Sequence, residues 1–565
     1  MGRVGEIGER GDIGGKGSTG EAPGHEGPTV SGSAESMPRS WWRGPAALCV
    51  GAVVAMVASA SAAATSPAGA ASTSRTTRAT LLASRPGTLI GPTHVKAVSF
   101  LVLLSARTVP TCLVRWAKST GLSVKWAIDQ NWATVTGSPR AVDRDFRVSI
   151  DSYRAPDGKV VYAANHAATV PTATCGEVAG VGAIHSFTPP TYVDVRQGGA
   201  SNTDLLRAYD ALPLTSKGFN GLGETVVFME GGGFLASDFT KFASDENLPG
   251  YNITLIGKNT GFDDETTMDM ETVHELAPQA HLVFFNLNGI SSATSDADLF
   301  AQAITQAATQ FPASIISMSL GICETDTQAF NDADLQALNS AVASAEAKGT
   351  TVFASSGDSG GLECTPQNHD GLPPQSSFVG VSVPAMLPAV TGTGGTALTT
   401  DGRGNYVGET TWSEPLLSQG SGGGVSVVDP RPSWQTGVGT GGQADTGNGR
   451  EVPDVSADAD PATGNFIVEK GQESQGGGTS LSAPLWAGFT AIVDQYLKAN
   501  HDPPVGFFNP ILYHLANSKV PFPPFHDITI GGNDLYNATP GYDMVTGLGS
   551  PDVYNLARDL KAGKF

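Results

Sequence analysis

Hydrophobic and polar positions change rhythm along this chain. Near the front, Val98-Ser-Phe-Leu-Val-Leu-Leu is an apolar run of strand length, and Phe146-Arg-Val-Ser-Ile-Asp-Ser-Tyr alternates as a half-exposed strand does. Lys159-Val-Val-Tyr-Ala continues the alternation, with helical patterns between, which predicts a small α+β module ending near Ile184. The Pro-rich stretch Phe187-Thr-Pro-Pro-Thr-Tyr, followed by Gln197-Gly-Gly-Ala-Ser-Asn, reads as an exposed joint open to proteolysis. Beyond it, short apolar runs at Thr225 to Glu230, His281 to Phe285, Ser314 to Ser319 and Thr350 to Ala354 are interspersed with helical stretches at Ser295 to Gln310 and Asp332 to Lys348. Strands apolar on both faces, with helices between them, predict an α/β domain with a mainly parallel, doubly wound sheet. Reacting groups in such sheets lie beyond the carboxyl ends of the strands.

Composition narrows the classes. With 565 residues, 40% hydrophobic, 15% charged, 70 Gly and 36 Pro, the chain is a loop-rich globular protein rather than a coiled coil, a collagen or a wholly disordered chain. The net charge of -21 argues against a nucleic-acid partner. Residues 1–190 carry 18 Lys+Arg against 12 Asp+Glu, and residues 191–565 carry 15 against 42. A basic front half can attract an acidic rear half, an attraction that acid would weaken; chance and ordinary surface solvation are the alternative.

Residues 37–64 have a leader's three parts: Arg39 and Arg43, an apolar run from Ala46 to Ala58, and small residues at Ala58-Ser-Ala60 or Ala60-Ser-Ala62. The run is short for a membrane span, so the expected fate is secretion, with no membrane contact after removal. Residues 1–36 read as a non-native or disordered extension, with Met37 the better start, and residues 65–92 as a linker. Cys49 leaves with the leader. Cys112 and Cys175 then sit in the front module, Cys323 and Cys364 in the rear one, even pairs that suit an oxidising compartment but leave free thiols open.

Three segments carry chemistry. Gly476-Gly-Gly-Thr-Ser480-Leu-Ser-Ala-Pro484 runs into an apolar helix, which sets Ser480 at the helix mouth, where orphan amides favour a developing anion. A plain helix cap is the alternative. Asp263-Asp-Glu265-Thr-Thr-Met-Asp269 has an acidic first turn, and Glu265 and Asp269, four apart, share one helix face. Adjacent carboxylates share a proton and can act as a base in acid, where histidine would be protonated; a solvated acidic face is the alternative. Ser356-Gly-Asp358-Ser-Gly follows a strand, and a protonated Asp358 there can donate to an oxyanion; an Asx turn between two glycines is the alternative. Asp527 and Asp543 bracket a Gly-rich loop of the kind that offers calcium its hard oxygens, with a turn held by N-cap aspartates as the alternative.

Taken together, these segments resemble the sedolisins, the serine-carboxyl peptidases. The match extends to Leu276-Ala-Pro-Gln-Ala, Ser317-x-Ser-x-Gly321, Gly394-Gly-Thr and Val452-Pro-Asp-Val-Ser-Ala-Asp-Ala-Asp-Pro, in the family's order across residues 205–560. The resemblance implies a subtilisin-like peptidase domain over 191–565, preceded by a ferredoxin-like propeptide over 93–190 that inhibits it until cut off in acid. It implies Ser480 as nucleophile, Glu265 as general base, Asp269 as the carboxylate that orients it, and Asp358 as oxyanion donor. Glu230 corresponds to a glutamate that extends this network in some members, whose tryptophan partner is replaced near Leu320. One calcium ion is implied, held by Asp527 and Asp543 and by the carbonyls of Ile528, Thr539 and Gly541. The expected activity is that of a monomeric acid endopeptidase acting on protein or peptide substrates. A tripeptidyl-peptidase of the same family, a His-based enzyme using His274, and a catalytically dead binding protein are the rivals.

Overall fold

The computed structural model describes residues 88–563, apart from segments 106–107, 127–131, 155–159, 166–167, 183, 185–200, 291, 326–331, 365–378, 415–418 and 442–447. The leader, most of the linker and nearly all of the joint expected to be cut lie outside the described residues.

The front module comprises β1 (Thr88–Pro92), β2 (Val98–Leu104), α1 (Thr111–Thr120), β3 (Ser123–Lys125), β4 (Trp132–Gly137), α2 (Pro139–Phe146), β5 (Ile150–Arg154), β6 (Val160–Ala164) and β7 (Val178–Val181). An antiparallel sheet in the order β3-β4-β2-β7 carries the ferredoxin-like β-α-β-β-α-β path, while β1, β5 and β6 form a second sheet. The strand expected from Phe146 is corrected. Ser138 caps α2 by accepting from the Ala141 amide, and Pro139, Val142 and Phe146 are buried at helical spacing. Arg147 then leaves the helix with φ 56°, and the strand starts only at Ile150.

The rear module contains β8 (Thr225–Glu230), β9 (Asn252–Ile256), α3 (Asp264–Leu276), β10 (His281–Asn286), α4 (Asp296–Gln310), β11 (Ile315–Met318), α5 (Asp332–Glu346), β12 (Thr351–Ser355), β13 (Thr391–Thr400), β14 (Tyr406–Thr411), β15 (Val455–Asp458) and α6 (Thr479–Ala499). The sheet runs β14-β13-β12-β11-β8-β10-β9, with β15 also paired to β13, and its pairs are parallel except that of β14. Val226, Phe228, Leu282, Phe284, Ile315 and Phe353 pack on one face with α3 and α6. Val227, Met229, Val283, Phe285, Ile316, Met318 and Val352 pack on the other with α4 and α5. Burial on both faces is why these strands read as unbroken apolar runs.

The two modules touch through apolar side chains. Along β2, Val98, Phe100, Val102 and Leu104 enter the front core, while Leu103 turns into the core shared by α3 and α6. Tyr153 and Val161 meet Ile530. Cys112 and Cys175 are bonded within the front module, and Cys323 and Cys364 within the rear one. No described helix is long and apolar enough to cross a membrane.

Candidate active site

The chain changes direction on the sheet at β8, which lies between β10 and β11. Glu230 ends β8, Ser319 follows β11 and Asp358 follows β12, so three polar groups gather beyond the carboxyl ends of central strands. α3 brings two more. Asp263 caps it by accepting from the Thr266 amide at 3.1 Å, and the helix from Thr266 to Leu276 is buried throughout.

Glu265 is half-buried, and the Ser480 hydroxyl lies beside its carboxyl and favours the charged form. One turn on, Asp269 is fully buried; its carboxyl is hydrogen-bonded to Glu230, and its Oδ2 accepts from Ser319 Oγ at 2.7 Å. Oε1 of Glu230, Oε1 of Glu265 and Oδ1 of Asp269 are buried without an N–H or hydroxyl partner. Such oxygens are costly unless carboxyl groups bond one another through retained protons. Burial, followed by the Asp269 charge, holds Glu265 and Glu230 well above the usual carboxylate range, and burial raises Asp269 to about 8. The three titrate as a set, in which a second charge is resisted far more than the first.

Ser480 is the second residue of α6, half-buried and open to a ligand. The approach to it needs Gly478, which has φ +84° and where a Cβ would lie 2.8 Å from Asp358 Oδ2. Asp358 Oδ1 accepts from the Thr479 amide at 2.7 Å and from its hydroxyl at 2.8 Å. Thr479 also bonds Gly357, so one side chain ties the Ser480 helix to the Asp358 loop. Behind the loop, Glu363 Oε2 accepts from the Ser359 amide at 2.9 Å.

The sequence-predicted set Ser480, Glu265, Asp269 and Asp358 is thus brought together. Glu265 and Asp269 repel as charges, while Asp269 is hydrogen-bonded to Ser319 and Glu230. His274 is not with them: its Nε2 lies 2.8 Å from the Pro249 carbonyl oxygen, its ring stacks on Tyr251 at 3.6 Å, and burial lowers it to about 4. Ser319 and Thr479 were not singled out from sequence. Both lie inside quoted motifs, Ser317-x-Ser-x-Gly321 and Gly478-Thr-Ser480, which was the available signal.

At the C-terminal loop, Asp543 is buried and accepts from the amides of Thr539, Val545 and Thr546 at 3.0, 2.9 and 2.8 Å. Asp527 Oδ2 accepts from the Gly541 amide at 3.0 Å. Both aspartates therefore grip the same turn, and burial raises Asp543 to about 7. The Asp527 and Asp543 carboxylates are hard oxygen ligands of the kind that calcium takes. Among the described residues no three His, Cys, Asp or Glu side chains cluster as a metal site, so any shell here must draw on carbonyls.

Comparison with known proteins agrees with this arrangement. The subtilase family model matches residues 254–505. Kumamolisin of Bacillus sp. (strain MN-32) is 36% identical over 380 residues, 63% of this chain and 63% of kumamolisin's own length. Sedolisin of Pseudomonas sp. (strain 101) is 33% identical over 461 residues, 76% of this chain and 75% of its own. The structure of Pseudomonas sedolisin, a serine-carboxyl proteinase, complexed with two molecules of pseudo-iodotyrostatin, superposes with a TM-score of 0.56 at 33% identity, covering 66% of this chain and all of that one.

Proposed function

The chain belongs to the sedolisin family of serine-carboxyl peptidases, with its subtilisin-like fold, and from that premise we propose that it is a secreted, acid-acting endopeptidase made as a self-processing zymogen. The observation that carries the reading is the Glu265 carboxyl beside the Ser480 hydroxyl at the mouth of α6, among carboxyl groups and with His274 turned to the Pro249 carbonyl instead. Ser480 Oγ attacks the scissile carbonyl as Glu265 takes its proton, and that proton passes to the departing amine. Asp358, protonated and held by Thr479, donates to the oxyanion. Water then releases the acyl group, with Glu265 again as base. Asp269 stays beside Glu265 and resists a second charge in the cluster.

The carboxyls set the pH range. One negative charge on the set suffices for a base and a second is resisted; Asp358 must keep a proton, which rising pH removes. Cleavage of a peptide library should therefore peak below about pH 5, and an optimum near pH 8 would overturn the assignment. At about pH 4 purified protein should shorten itself while Ser480→Ala stays full length; equal shortening of both would point to an outside protease.

Asp527, Asp543 and the carbonyls of Ile528, Thr539 and Gly541 fit one calcium ion, which when bound would cross-link the loop. The leader supports secretion, and the front module packed on the rear core supports its role as intramolecular inhibitor.

A further inference from the structure

One hydroxyl lies between the two halves of the site. Ser319 Oγ is 2.7 Å from Asp269 Oδ2 and 2.9 Å from the carbonyl oxygen of Ser480. That carbonyl has a specific need. In an α-helix it would accept from the amide four residues on, and in α6 that residue is Pro484, which has no N–H. Ser319 stands in for the missing amide. A hydroxyl has a single proton, so it can serve the carboxylate or the carbonyl, but not both. When Asp269 is ionised, Ser319 turns to it. When Asp269 holds a proton, it can donate to Ser319 Oγ, and Ser319 is released to the carbonyl.

We propose that Ser319 is a positioning residue whose hydroxyl turns between Asp269 and the Ser480 carbonyl, so that the charge on the acid pair is felt in the backbone of the nucleophile. The proposal rests on the peptidase reading above. The titratable groups acting on Asp269 and its partner are Glu230 from β8, Glu265 and Asp263 from α3 and its cap, and Asp358 from the loop after β12. None of these can supply the Ser480 carbonyl with the donor that Pro484 lacks unless it too is protonated and reaches it.

The test is a pH series of kcat and KM on the full chain after acid processing, for wild type, Ser319→Ala and Ser319→Thr, and for Ser319→Ala combined with Pro484→Ala. Ser319→Ala leaves the Ser480 carbonyl without a donor and should lower kcat about tenfold to hundredfold with little change in KM. Its alkaline limb, to which a second charge on the set contributes alongside loss of the Asp358 proton, should move to higher pH, because the ionised form of Asp269 has lost support. Threonine should restore both rate and limb, and Pro484→Ala, which returns an amide donor to the carbonyl, should recover part of the rate. A Ser319→Ala profile of wild-type shape, or a threonine variant that behaves like alanine, overturns the proposal. If wild type cleaves nothing at any pH, the peptidase reading fails instead, and thermal midpoints still decide on Ser319. The gap between wild type and Ser319→Ala should then widen above about pH 8, where wild-type Asp269 ionises, whereas a constant gap refutes the proposal.

Discussion

Glu265 and His274 stand on the same helix with opposite prospects. Glu265→Gln keeps the shape but removes the base, and should abolish turnover while leaving the fold intact. His274→Ala should retain most activity, because that ring is spent on Pro249 and Tyr251; steady-state rates of the two variants decide, and the reverse pattern would favour the histidine mechanism. Thr479→Val should lower kcat about tenfold or more, since it removes a hydroxyl donor to the Asp358 carboxyl. Ser480, Glu265, Asp269 and Asp358 were legible because their chemistry is written in local spacing. Ser319 and Thr479 were not, because each acquires its role from a partner 50 or 121 positions away. A serine beside a strand reads the same whether or not a carboxylate arrives from another helix.

Among the elements, α3 is the unusual one, a helix buried along nearly its whole length yet bearing Glu265, Asp269, Glu271 and Glu275. Burial raises Glu271 from 4.5 to about 9 and Asp269 from 3.8 to about 8. Between those limits the folded chain holds protons that the unfolded chain has released, so stability is fully present below about pH 4 and falls as pH rises toward about 9. His274, lowered to about 4, opposes this over the acid end, because the unfolded ring takes up a proton first. Thermal midpoints at low salt should therefore drop from about pH 5 to pH 8, and Glu271→Gln should flatten the decline; a midpoint that climbs over that span would contradict it. The C-terminal loop gives a separate check. Chelator should lower the midpoint and added calcium restore it, with Asp543→Asn insensitive to both. Strands buried on both faces were legible as apolar runs. β13 was not, since Thr391-Gly-Thr-Gly-Gly-Thr has turn composition, and its glycines serve close packing: a Cβ at Gly395 would lie 2.7 Å from Ala459 Cβ. The alternation from Phe146 misled because a capped helix and a strand abut there, and the period of one ran into that of the other.

At the scale of the whole molecule, the basic front and acidic rear suggested attraction by charge. Among the described residues, apolar contacts join the modules, formed by Leu103 on one sheet and by Tyr153 and Val161 with Ile530 on the other. Leu103→Ala should cost this contact about 2–5 kcal/mol and hasten appearance of the short form in acid, followed by gel densitometry; unchanged timing would leave charge as the main tie. Leu103 also separates two events that are easily treated as one. Severing the peptide at the joint leaves the leucine lodged where it was, because nothing in its greasy seat responds to a broken bond elsewhere. A nicked molecule thus stays a complex of two pieces until dilution or further digestion of the smaller piece pulls them apart, and freshly cut enzyme should show a lag before full activity that lengthens as the solution is concentrated.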